Sequence, residues 1–121
     1  MKAKYFIRCM RFESMDEHIV LIDPKSPRVV TLDPWLEVIY AAADGQSTIQ
    51  EFIERLKTQY SGGAPTGLEQ QTIALISKME AEGVIRLVQQ PTQLPYYLSI
   101  PVAKQDKERA LTEMKKDGYV T

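Results

Sequence analysis

Residues 30–60 constrain the fold of this chain more than any other stretch, because they hold several start and stop signals in a fixed order. A short β-rich segment ends in aspartate and proline at 33–34, an N-cap followed by proline at the first helical position. The helix that begins there stops at an aspartate-glycine turn at 44–45. Thr48 with Glu51 three residues later forms a capping box for a second helix. This order predicts strands followed by helices, an α+β domain.

Three segments at the N-terminus are predicted strands: 5–12, which mixes β-branched, aromatic and basic residues, and 18–22 and 28–32, which are rich in β-branched residues. A polar break at 13–17 separates the first two, and a turn with two prolines at 23–27 separates the last two. We therefore predict a three-stranded antiparallel sheet at the N-terminus.

A third helix is predicted over 66–82, where Thr66 with Glu69 reads as another capping box. Gly83 is placed to end this helix as a left-handed C-cap. Residues 84–88 are predicted to return as a strand.

Beyond residue 88, a stretch rich in glutamine and proline breaks the pattern. We predict a short extended segment at 96–102 and a charged helix at 103–116. The helix carries Ala110, Leu111 and Met114 on one narrow apolar stripe, so we expect it to dock on another surface. The expected division is a domain of residues 1–88 and a C-terminal extension of residues 89–121.

Residues 17–88 resemble the PqqD-like family of small winged-helix domains, which recognise precursor peptides during peptide maturation. The resemblance rests on Thr31-Leu32-Asp33-Pro34, Ala42-Ala43-Asp44-Gly45, Ser47-Thr48-Ile49-Gln50-Glu51 and Gly83-Val84-Ile85. It implies a winged-helix-like α+β domain, with a three-stranded antiparallel N-terminal sheet followed by three helices. The C-terminal extension ending in a helix departs from the smallest members of the family.

The resemblance also implies a function without catalysis. Such a domain binds the leader region of a ribosomally made precursor peptide by β-strand addition. It then presents the peptide to a separate maturation enzyme, often a radical SAM enzyme with an iron-sulfur cluster.

The implied site is the cleft between the third strand and the third helix. An unpaired edge strand offers backbone N–H and C=O groups to an extended peptide, and a neighbouring helix offers side-chain pockets. Some of the helix positions must belong to the core, because a broad apolar stripe is also what packing requires. The candidate peptide-binding residues are Arg28, Val29, Val30, Thr31 and Leu32 on the strand and Thr72, Leu75, Ile76 and Met79 on the helix.

The sequence holds little that would support catalysis. It contains one histidine and one cysteine, His18 and Cys9, and we place them on adjacent strands, but a nucleophile also needs an orienting group and an oxyanion hole. The paired glycines at 62–63 lie between helices, so neither phosphate-binding fingerprint is present. We expect no enzyme activity, no cofactor and no metal site.

Composition limits the number of domains and the cellular compartment that we expect for the protein. With 121 residues the chain is about one domain, and no apolar run is long enough to cross a bilayer. The basic residues near the N-terminus interrupt any signal-peptide core, and a single cysteine fits a reducing compartment. We expect a cytoplasmic protein that does not bind membranes.

Two other functions remain open. Three helices and a β-return would also suit a winged-helix DNA-binding regulator, for which the basic residues Lys2, Lys4, Arg8 and Arg11 are the best argument. Against nucleic acid, the formal charge is −1 and the third helix carries only one basic residue, Lys78. A structural subunit, such as a homodimer with aromatic anchors, is the second alternative. The extension is expected to block the cleft, bind the enzyme or form a dimer interface.

Overall fold

The computed structural model describes residues 2–16, 18–22 and 29–119. Its strands are β1 (Tyr5–Arg8), β2 (Arg11–Met15), β3 (His18–Ile22), β4 (Val29–Thr31), β5 (Asp44–Thr48) and β6 (Ile85–Val88). Its helices are α1 (Pro34–Ala42), α2 (Ile49–Lys57), α3 (Leu68–Ala81), α4 (Tyr96–Ser99) and α5 (Lys107–Asp117), with a 3₁₀ turn at Val102–Lys104. The protein is α+β, with the architecture of a winged-helix-like fold. Within these ranges no helix is both long and apolar enough to cross a membrane.

The strands form two antiparallel sheets of three strands each, β2-β3-β4 and β5-β1-β6. The first sheet is the predicted N-terminal one, and the predicted return strand is β6 of the second. In the first sheet Leu21 lies opposite both Phe12 of β2 and Val30 of β4.

The prediction of one strand over 5–12 is wrong, because this segment supplies one strand to each sheet. The chain leaves β1 at Cys9, whose backbone N–H donates to the Val84 carbonyl at 2.9 Å. The Tyr40 hydroxyl then donates to the Met10 carbonyl at 2.6 Å and fixes the crossover. The predicted polar break also starts too early, since β2 continues to Met15.

The predicted caps of the first two helices are confirmed. The Asp33 carboxylate accepts from the Leu36 N–H, and Pro34 follows it in the first turn of α1. In α2, the Thr48 hydroxyl accepts from the Glu51 N–H, while the Glu51 carboxylate accepts from the Thr48 N–H at 2.9 Å. This reciprocal bonding lowers the pKa of Glu51.

The predicted start of α3 is wrong and its end is right. The helix begins at Leu68 after Gly67, with no side-chain cap, because Glu69 pairs with Lys2 instead of turning back to Thr66. At the other end Gly83 has a φ of 76°, and the N–H groups of Gly83 and Val84 return to the carbonyls of Glu80 and Met79. This is a Schellman motif.

Strand β5 was not predicted, because Asp44-Gly45 reads locally as a turn. The segment is extended because it pairs with β1, with Thr48 opposite Tyr5 and Asp44 opposite Ile7. Gly45 is required here, since a Cβ at this position would lie 2.1 Å from the Thr92 carbonyl oxygen.

The main core lies between the sheets and helices α1 to α3. Its buried members come from all of these elements: Phe6, Phe12, Leu21, Leu32, Ile39, Tyr40, Ala43, Ile49, Phe52, Ile53, Leu56, Leu68, Ile76, Met79, Val84 and Ile85.

The C-terminal extension differs from its prediction in both parts. The expected extended segment contains the short helix α4, and the last helix begins at Lys107 after an Asp106 cap. Leu111 does not share the buried stripe of Ala110 and Met114 and is 45% exposed, because it lies about 100° around the helix from Ala110. The extension has its own apolar cluster, built from Tyr97, Leu98, Ala110 and Met114.

The extension docks on β1 and β2. Arg8 donates to the Leu98 carbonyl at 3.2 Å, and the Ala103 N–H donates to the Glu13 carboxylate at 2.9 Å. Arg11 bonds twice, from its side chain to Gln105 and from its backbone N–H to the hydroxyl of Tyr119. In the order β2-β3-β4, the contacts on β2 lie at the edge away from β4.

Candidate functional site

Strand β4 forms one edge of its sheet. Within the described ranges it pairs only with β3, where Thr31 lies opposite Val20. The Leu32 N–H donates to the Ile19 carbonyl at 3.1 Å. Because hydrogen bonding alternates along an antiparallel strand, the backbone N–H and C=O of Val30 also face β3. The backbone N–H and C=O of Thr31 face the opposite way, away from the sheet. The edge therefore presents the N–H and C=O of Thr31 to an incoming strand.

Neighbouring elements hold this edge in place. Leu32, directly after β4, is buried with Ile76 and Met79 of α3 in the main core. The chain then enters α1 through the Asp33 cap. From α1, the Glu37 carboxylate accepts from the Ile19 N–H at 3.1 Å and lies 3.2 Å from the His18 ring. Strand β4 is thus anchored at its C-terminal end on the helical layer.

The predicted strand residues fall at this edge only in part. Val29, Val30 and Thr31 form β4, and Thr31 is exposed, whereas Leu32 is a core residue that anchors the strand. The described ranges do not include Arg28.

The predicted residues of α3 do not share one environment. Thr72, Ile76 and Met79 are buried in the free protein, so their side chains are not accessible to a peptide. The Thr72 hydroxyl is satisfied within the helix by donating to the Leu68 carbonyl at 2.8 Å. Leu75 is only partly buried at the margin of the core. Of the four helix positions, Leu75 alone keeps an accessible apolar side chain.

An open cavity of about 300 Å³ lies on the outer face of the same sheet, and sequence reasoning missed it. Strand alternation could have identified it, because His18, Val20 and the partners of Val20 share one face of the sheet. Its lining comes from all three strands and the β2–β3 turn: Met15, Asp16, His18, Val20 and Thr31.

A second cavity, of about 560 Å³, lies where the extension meets the second sheet. Its walls include Arg8, Cys9 and Arg86 together with Tyr97 and Asp117 of the extension. Burial lowers the pKa of Arg8 and raises that of the Cys9 thiol. The Tyr97 hydroxyl donates to Asp117 at 2.9 Å, and burial together with this bond raises the pKa of Tyr97.

The arrangement offers no catalytic set among the described residues. Cys9 lies between β1 and β2 rather than on a strand, and its thiol contacts the Ile7 carbonyl. His18 instead lies at the start of β3, where its ring contacts Glu37. No group of three or more metal-ligating side chains occurs among the described residues.

The basic N-terminal residues also do not form a free patch for nucleic acid. Lys2 pairs with Glu69, and the guanidinium groups of Arg8 and Arg11 are bonded to the extension. Of these four basic residues, Lys4 is exposed and has no such contact with another described residue.

Comparison with known protein families gives a match. The family model described as "Coenzyme PQQ synthesis protein D (PqqD)" matches residues 18–85, which is more than half of the chain. The matched part runs from β3 to the start of β6 and includes β4 and α3. No curated protein and no solved structure gives a significant match.

Proposed function

The chain belongs to the PqqD family, and from this membership and the open edge of β4 we propose that it binds the leader region of a ribosomally made precursor peptide. The leader adds as a strand beside β4, and the protein presents it to a separate maturation enzyme of the radical SAM class. In this role the protein is a non-catalytic carrier that acts in the cytoplasm.

The single observation that carries the proposal is the outward-facing backbone of Thr31. An added strand gains its affinity from backbone bonds and its selectivity from pockets for alternate side chains. The N–H and C=O of Thr31 supply such bonds, and Leu75 supplies an apolar contact on the side of α3. Because Thr72, Ile76 and Met79 are buried, the proposal assigns the peptide contact on α3 to Leu75.

The arrangement of the two parts of the chain supports the same proposal. Residues 1–88 form the peptide-recognition domain, and the extension of residues 89–121 docks on β1 and β2. An extension on that side leaves the β4 edge accessible.

A pair of proline substitutions tests the proposal, with peptides selected from a random display library on the intact protein as probes. Thr31→Pro removes an N–H that faces away from β3, so the sheet keeps its bonds and the protein keeps its fold. The loss of one backbone bond and the clash of the ring should weaken peptide binding about ten-fold or more. Binding is measured by isothermal titration calorimetry and folding by circular dichroism.

Val30→Pro is the matched control. It removes an N–H that faces β3, so we expect it to lower the free energy of unfolding by about 1–3 kcal/mol. Equal peptide affinity for the wild type and Thr31→Pro would refute strand addition at β4. A mass that doubles with concentration and reverts in Thr31→Pro would instead identify a second copy of the chain as the occupant of the edge, as in a homodimer.

A further inference from the structure

Strand addition also places peptide side chains on the face of the sheet that points away from α3. Side chains alternate along a strand, so a peptide beside β4 directs every second residue to each face. A residue that lies opposite Thr31 shares its face, and that is also the face of Val20. The cavity lined by Met15, Asp16, His18, Val20 and Thr31 opens on this face.

The extension leaves this cavity free. Its contacts on the first sheet fall on Arg11 and Glu13 of β2, and no described residue of the extension lines the cavity. The cavity is therefore continuous with the open edge of β4 through Thr31, which belongs to both.

Distance and chemistry restrict what can fill the cavity. Neighbouring strands lie about 4.8 Å apart, so the added strand lies about 10 Å from β3. A side chain must therefore be long to reach past Thr31 to the wall formed by Val20, which is 6% exposed but lies outside the main core cluster. Lysine and arginine have such length, and their hydrocarbon stems cover apolar surface while the charge stays in water.

The polar rim of the cavity favours a positive charge. The Asp16 carboxylate has no bonding partner within the described part of the chain, whereas the His18 ring is already directed to Glu37. Among the residues that the structure describes, no lysine or arginine lines the cavity. A carboxylate above an aliphatic wall complements a long cationic side chain.

We propose that this outer-face cavity selects a lysine or arginine in the bound peptide, at the position opposite Thr31. The inference rests on the proposed function, since it requires a strand beside β4. It adds a second determinant of specificity, on the face opposite α3 and partly outside the segment matched by the family model, because Met15 and Asp16 precede residue 18.

The test uses library peptides selected on the intact wild-type protein, and Asp16→Asn as the key variant. Asparagine tolerates the positive φ of 51° at this turn as aspartate does, so the variant removes the charge and keeps the backbone. We expect enrichment of lysine or arginine at one position of the selected peptides. Asp16→Asn should weaken those peptides about two- to five-fold, the range for an exposed ion pair.

A double-mutant cycle makes the assignment specific. Replacing the enriched basic residue by methionine in the peptide should abolish the difference between wild type and Asp16→Asn, since the stem is retained and the charge is lost. Raised salt should reduce the same difference.

The outcomes separate this inference from the function on which it rests. Peptides that lose affinity for Thr31→Pro, yet show no basic enrichment or no coupling to Asp16, would overturn the outer-face site and leave strand addition intact. Selection of an uncharged residue at that position would do the same. If no selected peptide responds to Thr31→Pro, both the proposed function and the outer-face site fail.

Discussion

The two edges of the sheet β2-β3-β4 have opposite environments. At the β2 edge, the backbone N–H of Arg11 donates to Tyr119, and the Glu13 carboxylate accepts from the backbone of Ala103. At the β4 edge, the backbone of Thr31 faces away from β3 and has no partner in the described ranges. One sheet thus has a closed edge and an open edge.

The difference shows where the chain prevents unwanted pairing and where it permits pairing. Exposed edges invite association with other strands, and proteins commonly cover them or keep them short. The C-terminal extension covers the β2 edge. The described part of β4 is three residues long, and a short edge limits association with other proteins while leaving room for a peptide that brings side chains matched to the adjacent pockets.

The largest expected effect lies at the closed edge and should not reach the open one. Leu98→Ala removes a buried side chain from the cluster of the extension and should lower the free energy of unfolding by about 2–3 kcal/mol. Peptide affinity should stay unchanged, because β4 lies at the other edge of the sheet. Chemical denaturation and calorimetry measure the two quantities.

Leu111→Ala is the control for this substitution. Its side chain is 45% exposed on α5, so the change should cost less than about 0.5 kcal/mol. A loss of peptide affinity in folded Leu98→Ala would mean that the two edges are coupled.

The structure of the closed edge was harder to predict from the sequence than that of the helices. The caps at Asp33 and Thr48 were predictable because each signal and its partner lie within three residues. The split of residues 5–12 between two sheets depends on partners far along the chain, such as the bond from Cys9 to Val84. No local residue marks that break, since the segment contains neither glycine nor proline.

The candidate site, like the fold, was predictable from the sequence only in part. Position along the chain correctly identified β4 as an edge strand, but the periodicity of α3 does not distinguish a buried face from a groove-lining one. Ile76 and Leu75 are adjacent apolar residues on that helix, yet one is buried and the other partly accessible. Only the packed structure separates their roles, because Ile76 is a member of the main core cluster and Leu75 packs at its margin.

A smaller effect is expected from the bond that joins the extension to β2. Glu13→Ala removes the acceptor of the Ala103 N–H and should lower the free energy of unfolding by about 1 kcal/mol. Glu13→Gln keeps a side-chain oxygen at the same position, so its loss of unfolding free energy should be about half as large. Thermal and urea unfolding of both variants measure the difference. Unchanged stability in both variants would indicate that the bond contributes nothing and that other contacts hold the extension.

The smallest effect concerns local opening of the closed edge, and Cys9 reports it. The thiol lies beside the extension, and burial raises its pKa, so at pH 8 it holds less reactive thiolate than a free cysteine does. Alkylation by iodoacetamide should therefore be slow in the wild type and should accelerate as the pH rises toward the raised pKa. If reaction proceeds through opening of the extension, Glu13→Ala should accelerate it about two- to four-fold at pH 8. Thr31→Pro should leave the rate unchanged, because it alters only the open edge, and equal acceleration in both variants would contradict the independence of the two edges.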